Sequence, residues 1–368
     1  MSNRSSANIT DAPPRRARRS AGLIASRERK VPFALKTARV CLIGHDLGIW
    51  ELAHALQACH VTVAGLITTV SESEAQTNPI CAYLRSQDMY RSVQETARAL
   101  AVPLVETPDP NAPEAIDALT QRLRANVVIS YSAPILRRGF LDAVGGWVFN
   151  LHGSAAQPVY RGRGGPSWMI LNDVREGTVL WHWVDTGVDS GNLAFQRRVA
   201  WPQPAYPIDI MRAAVEQCRP MARRFVELWE SGAMPCIPQV IGRTRYFPSL
   251  DTARDGLMRW DWSPEQAERF IRAFGWPYAG AGAWYESNTR EAQRVCIARA
   301  GIGKPPQPAL HPFCNGVIAN YAAGGAVDVI CGGGTLCIQT LRRGMEEIPA
   351  AELIRKGGRF INEPRQAG

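Results

Sequence analysis

The sequence has no run of 18 or more apolar residues, so it offers no candidate membrane-spanning helix. It has no Cys-x-x-Cys pair. Its nine cysteines, at 41, 59, 81, 218, 236, 296, 314, 331 and 337, are scattered and odd in number, which indicates neither a disulfide framework nor a zinc site. Several lie inside apolar runs (Cys41, Cys296, Cys337), where a free thiol packs as a small hydrophobe. That usage implies a reducing, cytoplasmic setting. There is no internal repeat, and no G-x-G-x-x-G. The glycine loop Gly44-His45-Asp46-Leu47-Gly48 lacks the dinucleotide-binding spacing and reads as a tight strand-to-helix turn, with an anion cradle as the alternative. The N-terminal stretch lacks the apolar h-region of a secretory signal.

What is present is 368 residues, 46% of them apolar, enough for two cores and a tail. The formal charge of +9 suggests nucleic acid until its location is read. Residues 1–36 hold nine Arg or Lys and two acids, a net of +7, which leaves +2 for residues 37–368. The basicity therefore belongs to a Ser/Arg/Pro-rich leader expected to be a disordered tail, with an electrostatic arm for RNA or anionic surfaces as the alternative.

After the leader, apolar runs alternate with helical stretches. Strands are predicted at 38–44, 61–67, 102–105 and 126–131, helices at 49–58, 87–101 and 112–123, and a polar loop at 68–79. This alternation predicts an α/β fold with a doubly wound parallel sheet, whose active groups sit at strand C-terminal ends. Ile208 to Trp229 carries one helical apolar stripe, and Gly232 closes the domain. Residues 233–250 read as a linker. In 251–368 the texture changes. Ser263-Pro264-Glu265-Gln266 is a helix start. Short strands follow at 294–298, 316–320, 326–331 and 335–340, with Gly332-Gly333-Gly334 as a turn, so a small β-barrel is expected.

The chemistry concentrates in three segments. In Trp147-Val148-Phe149-Asn150-Leu151-His152, read as a strand, Asn150 and His152 share a face. A polar pair on a buried strand needs partners or a task. An amide N–H can hold a developing oxyanion, and an imidazole can move a proton near neutrality. Next comes a basic glycine-rich loop, Tyr160-Arg161-Gly162-Arg163-Gly164-Gly165, leading into an apolar helix. Last, Asp185-Thr186-Gly187-Val188-Asp189-Ser190-Gly191 follows a predicted strand at 178–184.

Asn-x-His-x-Ser, then Tyr-Arg-Gly, then Asp-x-Gly-x-Asp-x-Gly, in this order, resembles the 10-formyltetrahydrofolate-dependent formyltransferases. Arg259-Trp260-Asp261-Trp262-Ser263 and Pro277-Tyr278-Ala279-Gly280-Ala281 extend the resemblance to the OB-like C-terminal domain of the methionyl-tRNA type. The resemblance implies a Rossmann-like catalytic domain over 37–232 and an OB-like barrel over 251–368. It implies 10-formyltetrahydrofolate as co-substrate, no metal, and Asn150, His152 and Asp189 as the catalytic set, with Asp189 orienting the imidazole. Ala133, Pro134, Ile135 and Leu136 are implied as one wall of the folate pocket, and Asp185, Thr186, Gly187 and Val188 as the other. Ser154, Tyr160, Arg161, Arg163 and His182 are candidate acceptor contacts, His182 standing equally as a core residue.

The family's tRNA-binding members carry a basic insertion after the second strand. Here 69–79 holds Glu72 and Glu74 and no Arg or Lys, a poor match for a phosphate backbone. The expected activity is formyl transfer to a small amine, such as an amino-sugar nucleotide or an ornithine-type building block. Methionyl-tRNA formylation is the alternative, and a non-catalytic folate-binding protein or formyl-folate hydrolase is a third reading.

Overall fold

A computed structural model of the chain describes residues 27–155, 159–240, 242 and 244–364. The expected leader lies outside these residues over 1–26. From Arg27 onward it is folded, against the expectation that the tail runs to residue 36. Strand β1 (Arg27–Lys30) pairs antiparallel with β10 (Ala233–Cys236), and the Arg29 guanidinium lies 4.7 Å from the Trp147 ring and 4.4 Å from the Trp183 ring. Charge alone hid this, because a guanidinium is also a good partner for indole faces.

The first layer follows in chain order: β2 (Arg39–Gly44), α1 (Leu47–Ala58), β3 (Thr62–Thr68), α2 (Glu72–Thr77), α3 (Pro79–Ser86), α4 (Val93–Leu100), β4 (Leu104–Glu106), α5 (Pro113–Asp117), β5 (Val127–Tyr131), α6 (Arg138–Ala143), β6 (Val148–Ala155), β7 (Val159–Gly162), α7 (Gly165–Leu171), β8 (Glu176–Trp183), β9 (Leu193–Ala200), α8 (Pro207–Val215) and α9 (Cys218–Glu230). Seven strands form one sheet in the order β4-β3-β2-β5-β6-β8-β9. The β2–β3, β2–β5, β3–β4 and β5–β6 pairs are parallel, as expected from the alternation. The β6–β8 and β8–β9 pairs are antiparallel, an edge the sequence pattern did not announce.

Three local departures have clear causes. The polar stretch 68–79 holds the short helix α2, because Ser71 and Glu74 form a capping box. The helix predicted from 87 starts at Val93, where Ser92 and Glu95 form another. The stripe from Ile208 to Trp229 is split into α8 and α9. Pro220 has no N–H to offer the Glu216 carbonyl, so it fits in the first turn of α9 but not inside a continuous helix.

Beyond α9 come β10, β11 (Thr244–Phe247), α10 (Thr252–Asp255), α11 (Pro264–Ala273), β12 (Ala281–Glu286), β13 (Ala292–Ile302), β14 (Ile318–Tyr321), β15 (Val327–Cys331), β16 (Gly334–Arg343), β17 (Glu346–Pro349) and β18 (Arg359–Ile361). The Ser263 N-cap, Pro264 at N1 and the Gln266 capping box start α11 as expected. The last strands form a second, antiparallel sheet in the order β14-β15-β16-β13-β12-β18, with β17 on β16. A bridge between Val317 and Arg359 brings its two ends together, so the sheet nearly closes into a barrel. The segment expected as a plain linker is structured: β11 lies parallel to β7, pairing Tyr246 with Arg161 and Phe247 with Gly162.

Candidate active site

Asn150 and His152 sit on β6 and are both half-buried, while Leu151 between them packs into the core on the other face. The antiparallel partner β8 sets His182 directly across from Asn150. Asp189 arrives from the loop after β8, in the left-handed region at φ 47°, which aspartate tolerates better than most residues. Four polar side chains from two strands and one loop thus meet at one point.

Their hydrogen bonds fix atom roles. Ser130, at 3% exposure on β5, donates its hydroxyl to Asn150 Oδ1 at 2.9 Å, so the Asn150 amino group must face the other way. That Nδ2 lies 3.1 Å from His182 Nε2 and 3.3 Å from Asp189 Oδ1. His182 Nδ1 is 2.8 Å from the Trp183 carbonyl, which can only accept, so the proton sits on Nδ1 and Nε2 is free to accept from Asn150. His152 Nε2 is 2.7 Å from the Tyr160 carbonyl, which places a proton on Nε2 by the same logic. Its Nδ1 then looks toward Asp189 Oδ2 at 3.9 Å. Asp189 Oδ2 also accepts from the Gly162 N–H at 2.9 Å.

Burial by itself would raise the Asp189 carboxyl. The His152 and His182 imidazoles, 3.9 and 3.7 Å away, and the Gly162 N–H outweigh it and hold the group well below the usual carboxylate range. Asp189 is therefore an ionised carboxylate in a half-enclosed site. Its loop is braced twice. Asp185 Oδ1 accepts from Gly187 N–H at 3.0 Å and from Ser190 Oγ at 2.7 Å, and Gln239 Nε2 donates to the Asp189 and Gly191 carbonyls at 3.0 and 2.6 Å.

The group opens into a cavity of about 1060 Å³. Ala133, Pro134, Ile135 and Leu136 line it on one side, where Ile135 remains 58% exposed, and Asp185, Gly187 and Val188 face them. Thr186 is not on its surface. Ser154, Arg163 and His182 line it, whereas Tyr160 and Arg161 do not. Tyr160 instead packs in the core, and its backbone carbonyl is what serves the site. The basic glycine-rich segment is not all loop, since it enters as β7. Ser154 pins it, with Oγ 2.6 Å from Tyr160 N and 3.1 Å from Tyr160 O.

The glycine loop after β2 is a turn and not an anion cradle. Asp46 caps α1 by accepting from the Gly48 N–H at 2.9 Å, so a carboxylate already fills the helix start. Among the described residues, no group of three or more His, Cys, Asp or Glu is arranged to hold a metal ion, and no helix is long and apolar enough to cross a membrane.

Sequence reasoning missed Ser130, Gln239 and the wall contributed from beyond residue 240. Tyr246, Ser249, Leu250, Thr252, Phe274 and Tyr278 all face the same cavity.

The architecture is thus a mixed, Rossmann-like sheet with a polar quartet at its rim, joined to a small antiparallel barrel. Residues 252–357 match the family described as formyl transferase, C-terminal domain. The fold is similar to that of WlaRD, a sugar 3N-formyl transferase solved in the presence of dTDP and 5-N-formyl-THF, with 13% identity over 82% of this chain and 96% of that one, TM-score 0.55. It is similar to the N-formyltransferase from Helicobacter canadensis in complex with folinic acid and dTDP-3-aminofucose, with 13% identity over 82% and 98%, TM-score 0.57. It also resembles HypX from Aquifex aeolicus in complex with tetrahydrofolic acid, with 15% identity over 86% of this chain but 46% of that longer one, TM-score 0.50. The match of residues 252–357 to a formyl transferase C-terminal domain and the fold shared with N-formyltransferases are thus two separate likenesses, one over the C-terminal part and one over most of the chain.

Proposed function

We propose that the protein transfers a formyl group from 10-formyltetrahydrofolate to the amine of a small molecule, with an amino-sugar nucleotide as the acceptor class. The observation that carries this is the meeting of Asn150, His152 and Asp189 on one wall of a cavity large enough for two ligands. Small-molecule sites commonly occupy about 300–1,000 Å³ each way from fragment to drug size, so about 1060 Å³ suits a donor and an acceptor together.

The fit to the donor rests on the cavity itself. Its 133–136 wall offers the exposed Ile135 side chain as an apolar face for a flat ring, and Asp185, Gly187 and Val188 line the facing side. Asn150 presents N–H hydrogens where the formyl oxygen gains charge. The 3.3 Å contact with Asp189 is the weaker of its two, so it is the one an oxyanion displaces. His152 offers its Nδ1 lone pair to the attacking amine's proton, and Asp189 lies 3.9 Å away to balance the imidazolium. His182 Nε2, 3.1 Å from Asn150 Nδ2, keeps the Asn150 amide turned toward the reaction. The departing folate nitrogen recovers a proton from the same His152–Asp189 pair.

The low charge of 69–79 now has a structural reason. Glu72 and Glu74 sit in the first turn of α2, and Glu72 pairs with Arg98 at 2.9 Å, which supports a small acceptor over a tRNA end at this segment. The test is a panel of amines, charged methionyl-tRNA included, incubated with 10-formyltetrahydrofolate while folate release is followed. Wild type is expected to turn over an amino-sugar nucleotide, and His152→Ala to lose at least about 100-fold in kcat with its fold intact. Turnover near wild type in that variant, or with methionyl-tRNA alone, contradicts the assignment.

A further inference from the structure

The segment between the two sheets is too well fastened to be a tether. Strand β11 runs parallel to β7 over four residue pairs. Phe247 packs on Tyr160 at 4.3 Å and Trp168 at 5.0 Å between ring centroids, and Trp168 Nε1 donates to the Pro248 carbonyl at 2.9 Å. A Cβ on Gly162 would lie 2.2 Å from the Phe247 carbonyl oxygen, so the two strands touch backbone to backbone. Alternation along β11 then sends Tyr246 the opposite way from Phe247, into the cavity.

There Tyr246 is 59% exposed, with no hydrogen bond and no ring partner among the described residues. A large aromatic held on a rigid strand inside a cleft, facing nothing, is a stacking surface. Its neighbours carry positive charge. Arg163, two residues beyond the register partner Arg161, lines the cavity and has no ion pair among the described residues. The wall at 131–137 that suits the donor ring belongs to β5 and the turn after it, in a different part of the lining. The α1 start is closed to an anion by Asp46.

We infer that Tyr246 is the acceptor-specificity residue. It stacks the base of a nucleoside diphosphate whose phosphates meet Arg163, leaving the amine-bearing end at Asp189. The inference rests on the formyl-transfer reading for what that far end does, but base and phosphate recognition can be read without turnover. Gly162 lies between the two functions: its backbone pairs with β11, and its N–H holds Asp189.

The experiment is calorimetric titration of the full chain with two probes, folinic acid and a panel of dTDP, UDP and GDP, for wild type, Tyr246→Ala and Tyr246→Phe. Wild type is expected to bind folinic acid and at least one of the nucleotides. Tyr246→Ala should weaken the nucleotide about 10- to 100-fold, the range for loss of one stacked base, and leave folinic acid within about twofold. Tyr246→Phe keeps the ring and should bind like wild type. Equal nucleotide affinity in wild type and Tyr246→Ala overturns the inference. So does wild-type protein that takes folinic acid and none of the three nucleotides, an outcome that leaves formyl transfer standing. Absence of folinic acid binding strikes the formyl-transfer reading instead, while the nucleotide series still judges Tyr246.

Discussion

Asp189 is the residue whose ionisation ties chemistry to stability. Burial would raise its folded carboxyl, but the nearby His152 and His182 imidazoles and the Gly162 N–H outweigh that and depress it relative to the unfolded chain. A depressed acid contributes stability that is fully present above its unfolded pKa, about 4, and that is lost as pH falls through the folded value. Asp189→Asn should therefore unfold at lower denaturant than wild type at pH 7, by about 1–3 kcal/mol, the scale of hydrogen bonds to a charged group. The gap should shrink below about pH 4. A gap that is constant from pH 7 to pH 3 in urea titrations means the carboxylate is not held by these partners. At this scale the sequence was partly legible. Asn150 and His152 stood out as a polar pair on an apolar strand, which alone is weak evidence; the motifs that follow, through their family resemblance, made them and Asp189 candidates, and the structure brings the three together. Ser130 was not, since one serine in Val127-Val128-Ile129-Ser130-Tyr131 looks like a strand residue until β6 is laid beside it. Tyr160 misled in the other direction: the chain position matters, but through a carbonyl that any residue would supply.

At the scale of elements, β7 and β11 form the joint between fold and function. Gly162 adopts φ 96°, and an added Cβ would collide with the Phe247 carbonyl. Gly162→Ala should therefore cost about 2–4 kcal/mol in stability and, because the Asp189 hydrogen bond moves with the strand, about 100-fold in kcat. Gly232→Ala is the control. It shares a left-handed backbone, φ 83°, but a Cβ there meets nothing within 4 Å, so only a conformational cost of about 1 kcal/mol is expected and no loss of turnover. Equal losses of activity in the two variants would remove the steric link. The parallel strands of the first sheet, though not their order, were visible as apolar runs separated by helices, because each run carries its own signal. β11 carried none. Thr244-Arg245-Tyr246-Phe247 is four residues of mixed polarity before a proline, and its pairing is decided by β7, 85 positions upstream at Val159. The antiparallel edge β8–β9 was hidden for a related reason: strand direction is set by the connection between strands and not by their composition.

For the whole molecule, the two sheets do not own separate cores. One buried cluster contains Tyr160, Met169, Ile170, Trp201 and Ile210 from the first layer together with Phe270, Phe274, Tyr285, Leu341 and Phe360 from the barrel side. Polar links cross the same seam: Ser167 Oγ donates to the Ala273 carbonyl at 2.7 Å, and the buried Arg272 donates to the Ala205 carbonyl at 2.9 Å. Tyr83 of α3 stacks on Trp276 at 3.9 Å, with the Arg342 guanidinium 3.5 Å from the Trp276 ring. Cutting the chain in the 233–250 segment would expose this apolar surface on both pieces and remove the Gln239 brace and the Tyr246 wall from the candidate site. Composition alone suggested two domains on a linker, and two such units would melt in two steps. A shared core predicts otherwise: calorimetry of the full chain should give one transition, with calorimetric and van't Hoff enthalpies in agreement. Folinic acid should shift that entire transition upward, because a ligand bound to the native state stabilises everything that unfolds with its site. Two resolved transitions, only one of them moved by the ligand, would show that the seam is a contact between independent parts. Cavity residues such as Phe274 and Tyr278 would then belong to a wall that can leave the site while the catalytic sheet stays folded.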